Sequence, residues 1–375
     1  MPRVSLIFFL VFLFQGALLA QTKTVIEPNI VLFDSSKYLL DGPIQLRKLS
    51  LRGLSVYSDK YLAVSGTQGV FGLMEDGITW KLKQLPAYPK SDFRDIEVLR
   101  PGRLVMMSSG FPALVLTSND GGKTWNESLR FSDSAVFLDG MDFWNAFDGV
   151  LLGDPIHGKF LIYRTKDGGK TWKEMPEELR PDALPGEACF AASGTAIRCL
   201  PNGDFAFVSG GSESRFFYFS KRRNSWLIEP ISIVKGKASQ GCFSFAPVPK
   251  DPLNENLFCF VGGDYLQDTA TELVSSAWYR LNPPLWFRGK FVEHPQGYRS
   301  AVECLKNMEL ICAGPSGVDF CQNQGVEKSW FSVSSMGFHA VRQAKRGTAV
   351  YFSGGAGRIA KLEFKKKQVE IRGIK

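Results

Sequence analysis

Seven polar residues, each at or just before the start of a short apolar segment, are the positions at which this sequence could do chemistry. Arginine forms bidentate hydrogen bonds with carboxylates, and three of the seven are arginines. The set therefore predicts a site that clamps a carboxylate or an acidic peptide. The segments RGLSV, RDIEV, DGMDF, SGTAI, QGCFS, RSAVE and HAVRQ contribute Arg52, Arg94, Asp139, Ser193, Gln240, Arg299 and His339.

Other polar residues stand beside these segments or next to glycines that end a neighbouring apolar segment. Combined with most of the seven, they form the predicted binding set: Arg52, Arg94, Asp139, Asp154, His157, Glu187, Ser193, Asp264, Tyr265, Arg299 and His339. A second interpretation stays open, in which these groups only satisfy turn amides and one another.

The elements that must position these residues are indicated by an internal repeat. SNDGGKTW at 118–125 returns as TKDGGKTW at 165–172, and the two tryptophans are 47 residues apart. MEDGITW at 74–80 keeps part of the same pattern. A repeat of this length is typical of a propeller blade.

A second marker runs in phase with the first. Seven apolar segments ending in glycine recur along the chain: YLAVSG, RLVMMSSG, GVLLGD, FAFVSGG, FCFVGGD, LICAGPSG and AVYFSGG. We therefore predict an all-β fold, a single seven-bladed β-propeller of four-stranded antiparallel blades over 46–375. Residues 21–45 are expected to pack on or close the ring.

The repeated octets are predicted to be structural. Aspartate accepts hydrogen bonds from the amides of its own turn, glycine permits left-handed backbone angles, and tryptophan buries a large aromatic area. A sugar- or cation-binding loop is the alternative. The residues concerned are Asp76, Trp80, Ser118, Asp120, Gly122, Thr124, Trp125, Thr165, Asp167, Gly169, Thr171 and Trp172.

The octets resemble the Asp-box, or BNR repeat, of sialidases, sortilins and other propellers. Across about 45–365 the chain also resembles the photosystem II stability/assembly-factor family and its non-photosynthetic bacterial relatives. The phrases that carry this are FRDIEVL, MDFWNAFDGVLLGDPIHGKFLIYRTKDGGKTW, PGEACFAASGT, GGDY, GYRSAV, GPSG and GFHAV. The resemblance implies a non-catalytic scaffold that binds a protein or peptide partner, with arginines along one face.

The alternative function is a carbohydrate-active hydrolase or lyase of sialidase-like architecture. Similarity to sialidases would assign Tyr298 as nucleophile, Glu187 as its partner and Asp154 as the acid, beside an arginine triad. The F/Y-R-I-P signature of that family is missing, and the sequence has no nucleophile elbow, HExxH or P-loop.

The first twenty residues combine a short basic start, an apolar run and a small-residue exit, which predicts a signal peptide over 1–20 and export to the periplasm or beyond. We expect no stable membrane span after cleavage, and a monomer. Despite a net charge of +8, no nucleic-acid module is found, and no metal or other cofactor is predicted. The seven cysteines indicate buried thiols, with a Cys304–Cys312 bridge as an alternative.

Overall fold

The computed structural model describes residues 21–248, 256–280, 286–289, 291–322 and 328–371. Residues 29–363 form one unit, and the described residues 21–28 and 364–371 belong to another. The predicted leader, 1–20, lies outside the described residues. No helix in the described ranges is long and apolar enough to cross a membrane.

Seven β-sheets follow one another along the chain, and each is one blade of the propeller. Within each blade the first of four successive antiparallel strands lies innermost. The four strands are Leu51–Val56, Leu62–Gly66, Val70–Met74 and Lys81–Gln84 in blade 1; Asp92–Arg100, Arg103–Ser109, Leu114–Ser118 and Asn126–Arg130 in blade 2; and Leu138–Phe143, Gly149–Ile156, Lys159–Thr165 and Lys173–Glu174 in blade 3.

The remaining blades repeat this order, and blade 7 is completed by a strand from the beginning of the chain. Their strands are Ile197–Cys199, Phe205–Val208, Arg215–Ser220 and Ser225–Pro230 in blade 4; Gln240–Val248, Asn256–Asp264, Ser275–Arg280 and Trp286–Gly289 in blade 5; Ala301–Cys304, Leu310–Gly314, Gly317–Cys321 and Lys328–Ser334 in blade 6; and Ala340–Gln343, Val350–Ser353, Ile359–Ile371 and Gln21–Leu32 in blade 7.

The prediction of an all-β propeller with seven four-stranded antiparallel blades is confirmed, with additions at some sheet edges. The added strands are Leu39–Asp41 on blade 1, Phe291–Glu293 on blade 6, and Glu187–Ala188 with Gly210–Gly211 on blade 5. Leu39–Asp41 and Phe291–Glu293 pair in parallel with the last strands of their blades. Short 3-10 helices occupy Ser35–Lys37, Leu46–Lys48, Glu177–Leu179 and Pro201–Gly203.

The second strands are the apolar segments that end in glycine, and they are buried on both faces. Every residue of Leu62–Gly66 and of Phe205–Val208 is buried. A strand in the middle of a blade packs against the neighbouring blade on each side, so it reads as a continuous apolar run rather than an alternating one. This is why one apolar phrase per blade was visible in the sequence.

The first and the last described strands lie side by side in blade 7. The Phe33 amide donates to the Ile359 carbonyl at 2.9 Å, and the Phe33 ring lies edge-on to Trp80 of blade 1 with centroids 6.2 Å apart. The first described strand and the last one are therefore neighbours in a single sheet. In the other unit, Lys367 Nζ lies 3.3 Å from a Glu27 carboxylate oxygen.

The repeated octets form matching turns. In the first, Asp120 accepts hydrogen bonds from the Thr124 amide at 2.9 Å and from its hydroxyl at 2.6 Å. The second shows the same two distances between Thr171 and Asp167. Hydrogen bonds from the side chain and amide of Thr124 lower the pKa of Asp120 to about 2, so its carboxylate is ionised at neutral pH.

The glycine and tryptophan of the first octet contact blade 1. A Cβ on Gly122 would come within 2.5 Å of the Phe71 ring, and φ at Gly122 is +79°. Trp125 lies edge-on to Phe71, with ring centroids 5.1 Å apart. Phe71 belongs to the third strand of blade 1. The octet, a turn of blade 2, therefore packs against the preceding blade.

None of the seven cysteines, all of which lie in the described ranges, forms a disulfide bond. The Cys304–Cys312 alternative is not formed, because Cys304 pairs in register with Leu310 and Cys312 with Val302. The side chains of two residues on neighbouring strands face one another only when they share a register position.

Candidate functional site

A cavity of about 710 Å³ lies where the first strands of several blades begin. Arg52 of blade 1, Arg94 of blade 2 and Asp154 of blade 3 contribute to its walls. Tyr298 and His339, which precede the first strands of blades 6 and 7, also line it, as do Ser134 and Tyr265. One cavity thus gathers residues that are far apart in sequence.

The cationic wall consists of Arg52 and Arg94. Arg94 Nε donates to Asp92 Oδ2 at 2.7 Å, and its guanidinium lies over the Phe137 ring at 5.6 Å. Arg52, by contrast, has no hydrogen-bond or ion-pair partner among the described residues. Burial, and then the charge of Arg94, lower the pKa of Arg52 below its usual value. Arg52 is thus the cation of this cavity for which the described residues provide no ion-pair partner.

His339 contributes a neutral imidazole beside these arginines. Its Nδ1 is buried and has no hydrogen-bond partner among the described residues. Burial and the charges of Arg52, Arg358 and Arg94 lower the pKa of His339 to about 3. The ring is therefore uncharged at neutral pH, and one of its nitrogens can donate a hydrogen bond.

The acidic wall is formed by Asp154, with Asp139 close behind it. Asp154 Oδ1 accepts a hydrogen bond from the Cys189 amide at 2.8 Å, and burial raises the pKa of Asp154 to about 6. Asp139 is fully buried, and neither of its carboxylate oxygens has a described partner. Burial and then repulsion by Asp154 raise the pKa of Asp139 well above its usual value.

The Asp154→Asn variant is expected to be more stable than the wild type at pH 8, by about 1–2 kcal/mol after allowance for partial exposure. Burial raises the pKa of Asp154 in the folded protein, so ionising this carboxyl costs more in the folded state than in the unfolded state. Asp154 therefore destabilises the wild type increasingly as the pH rises from about 4 to about 6. The amide oxygen of asparagine can still accept from Cys189. Urea unfolding at pH 4 and pH 8 tests this: the gain should disappear at pH 4, and an equal gain at both would contradict it.

An aromatic wall completes the cavity. Phe190 and Phe243 stack with centroids 3.8 Å apart and planes 8° apart. Tyr298 meets Phe243 edge-on at 4.6 Å, and Tyr265 meets both phenylalanines edge-on at 6.2–6.4 Å. Tyr298 is buried, whereas Tyr265 is 47% exposed.

Six residues of the predicted set do not line this cavity. Glu187 is occupied elsewhere, since its buried side chain forms an ion pair with Arg215 and accepts from the Leu184 amide at 2.9 Å. His157 is exposed in the hairpin between the second and third strands of blade 3. The residues outside the cavity lining are Asp139, His157, Glu187, Ser193, Asp264 and Arg299.

Ser193, Asp264 and Arg299 are engaged in hydrogen bonds within the protein. Ser193 Oγ donates to the Ser300 carbonyl at 2.7 Å, and Arg299 Nε donates to Asp319 Oδ2 at 2.6 Å. Asp264 accepts from the amide nitrogen of the Gln240 side chain at 3.1 Å. Each of these three residues therefore has a hydrogen-bond partner inside the protein.

The three residues of the catalytic alternative do not all line one cavity. Asp154 lines the 710 Å³ cavity with Tyr298 and a second cavity with Glu187, and the Glu187 carboxylate is paired with Arg215. Among the residues that the structure describes, no group of three or more histidine, cysteine, aspartate or glutamate side chains could hold a metal ion.

Sequence reasoning missed a polar network on the propeller axis. Glu97 accepts from Ser55 Oγ at 2.9 Å and from Lys345 Nζ at 2.7 Å. Arg198 of blade 4 pairs with Glu303 of blade 6 at 2.8 Å, although these blades are not neighbours in the ring. The available signal was the charged residues inside the otherwise apolar first strands.

Solved structures with the same fold have been found. A structure described as YCF48 bound to D1 peptide matches 86% of this chain and 98% of its own, with a TM-score of 0.58 and 15% identity. YCF48 from Cyanidioschyzon merolae matches 89% of this chain and 98% of its own, with a TM-score of 0.58 and 14% identity.

A third similar structure comes from a different protein class. It is a catalytically inactive virginiamycin B lyase from Staphylococcus aureus with quinupristin, with a TM-score of 0.59 and 11% identity. The match covers 90% of this chain and 99% of that one. No protein-family model and no curated protein matches the sequence. At these identities the likeness establishes the propeller fold.

Proposed function

We propose that this protein is a non-catalytic propeller that binds a protein or peptide partner through the 710 Å³ cavity. The observation that carries the proposal is Arg52, a guanidinium in the cavity with no described counter-ion. A partner's carboxylate would supply that counter-ion with charge-assisted hydrogen bonds. The fold shared with a propeller described as bound to a peptide supports the same conclusion.

His339 also supports a polar ligand, because its buried Nδ1 has no partner among the described residues. A protonated histidine beside Arg52 and Arg94 would concentrate three positive charges, whereas the neutral ring adds a hydrogen-bonding group without further repulsion. Preorganised polar groups of this kind reduce the ordering that binding requires.

Arg52→Ala is expected to weaken capture of peptide ligands at least about tenfold, because a hydrogen bond to a charged group is worth about 1.5–3 kcal/mol. The test pans a random peptide library on immobilised wild-type protein and measures affinities of the selected peptides for both proteins. The matched control is Arg130→Ala, which removes an exposed arginine paired with Glu127. Equal affinities for wild type and Arg52→Ala would reject this site.

The alternative proposal is a carbohydrate-active hydrolase or lyase. The observation that favours it is Asp154, because a carboxyl in the cavity with a pKa of about 6 is suited to general acid catalysis. A screen of glycosides and polysaccharides, with Asp154→Asn as the inactive control, distinguishes the two. Turnover that Asp154→Asn abolishes would favour the enzyme.

We further propose that the chain is exported through a signal peptide over 1–20, and that the octets are Asp-box repeats used as structural turns. The short basic start and apolar run of the first twenty residues support the former. Fractionation of cells that express the full chain and a chain lacking 2–20 tests export. Equal distribution of both products would contradict it.

A further inference from the structure

Arg52 is the cation of the cavity lining that has no ion-pair partner among the described residues. Arg94 is neutralised by Asp92 at 2.7 Å, which leaves Arg52 without a described partner. Asp154 lines the same cavity, and Asp139 lies close enough behind it for the two carboxyls to repel one another. A ligand with several adjacent carboxylates would therefore meet Asp154 after its first carboxylate had reached Arg52.

The aromatic wall is closely packed and presents apolar surface to the cavity. Glycines at two strand positions allow Phe190 to approach closely, since a Cβ on Gly210 would lie 2.2 Å from the Phe190 ring, and one on Gly241 3.0 Å from it. Phe190 is thereby pressed against Phe243, while Tyr265 remains 47% exposed at the cavity. Exposed aromatic surface in a cavity favours stacking with another ring or a large apolar side chain.

The two walls share one ligand space. Arg52 and Tyr298 line the same cavity, and the guanidinium lies near enough to the Tyr298 hydroxyl to act on its pKa. Tyr298 in turn meets Phe243 at 4.6 Å. A carboxylate on Arg52 would consequently have the aromatic wall next to it.

Building on the proposed function, we propose that the cavity selects a single carboxylate placed next to an aromatic side chain, with the carboxylate on Arg52 and the ring on Tyr265 and Phe190. Two sources offer this chemistry: a chain terminus that ends in an aromatic residue, and an internal aspartate or glutamate beside one. Both are single anions with an apolar neighbour, in contrast to a polyacidic segment.

The test measures fluorescence anisotropy of short labelled Gly-Ser peptides at pH 7.5. One ends in Phe with a free carboxylate; others are its amide, a version ending in Ala, an amidated peptide with internal Asp-Phe, and one with consecutive glutamates. The free-acid Phe peptide is expected to bind at least about tenfold more tightly than its amide and its Ala version. Equal or tighter binding by the Asp-Phe amide identifies the side chain as the source and also supports the proposal.

Two variants locate the binding. Tyr265→Ala is expected to weaken the Phe peptide about tenfold without weakening the Ala peptide, whereas Arg52→Ala weakens both. Phe147→Ala, which removes another exposed aromatic ring outside the cavity, is the matched control for Tyr265→Ala.

The outcomes separate this inference from the proposed function. Tightest binding by the polyglutamate peptide, with loss in Arg52→Ala, overturns the single-carboxylate inference and leaves the partner-binding proposal standing. Binding of no Gly-Ser peptide likewise overturns it, and library peptides that depend on Arg52 would still uphold the proposed function. Binding that is unchanged in both variants overturns the inference at this cavity.

Discussion

Arg299→Ala is expected to lower the free energy of unfolding by about 3–5 kcal/mol, because it leaves a buried carboxylate without its partner. Arg299 is fully buried and donates through Nε to Asp319 Oδ2 at 2.6 Å. Its Nη1 donates to the Tyr298 carbonyl at 2.9 Å and to Ser316 Oγ at 2.8 Å. Burial raises the pKa of Asp319 and Arg299 opposes that shift, so the pair is interdependent.

Urea unfolding at neutral pH measures the loss of stability, and two further variants serve as comparisons. The double variant Arg299→Met, Asp319→Leu is expected to lose less stability than Arg299→Ala, because it removes both charges together. Arg130→Ala breaks an exposed pair with Glu127 and is expected to cost less than about 1 kcal/mol. A cost for Arg299→Ala that is as small as that of Arg130→Ala would contradict the structural role.

Arg299 also shows where sequence reasoning reached its limit. Arg52 and Arg299 hold equivalent places before or within the first strand of a blade, and both were predicted to bind a ligand. Arg299 differs because Asp319, on the third strand of its own blade, reaches it. Among the described residues no carboxylate forms an ion pair with Arg52. Residue type and position cannot reveal a counter-ion that depends on strand register.

The fold was easier to predict than the site because short sequence patterns that indicate strands and turns recur in blade after blade. One apolar segment per blade ends in glycine, and each becomes a second strand. Cavity membership, by contrast, depends on side-chain direction at the beginnings of the blades. Phe190 and Phe243 were not predicted, since aromatic residues in apolar segments usually belong to the core, and only the glycines opposite Phe190 hint at close packing.

The axial network explains why polar residues of the first strands divide into two groups. Charged groups within these strands form pairs across the axis. Glu97 pairs with Lys345, and Arg198 pairs with Glu303. Buried polar groups that are fully paired specify one arrangement of their neighbours. Arg52 and His339 lie at the cavity, where this pairing stops and both retain unused hydrogen-bonding groups. Unused hydrogen-bonding capacity at the cavity therefore separates Arg52 and His339 from the paired residues of the axial network.

Phe207→Ala is expected to lower the free energy of unfolding by about 3–5 kcal/mol, through lost apolar burial and the cavity left behind. Phe207 is fully buried in the second strand of blade 4 and stacks on Phe217 at 4.3 Å. It also meets Phe160 of blade 3 at 5.0 Å, so the substitution weakens an interface between blades. Because each blade buries its apolar surface against its neighbours, the lost contacts destabilise the whole ring and not only one sheet.

The matched comparison for this prediction is Phe147→Ala, a phenylalanine that is 57% exposed and contributes mainly a contact with Arg103. It is expected to cost less than about 1 kcal/mol, since an exposed ring gains little from burial. The test measures the urea midpoint and slope of unfolding for both variants. A single cooperative transition that moves to a lower urea concentration for Phe207→Ala alone supports a core shared between blades. Equal midpoints would contradict it, and a second transition would mean that blades 3 and 4 unfold apart from the rest of the ring.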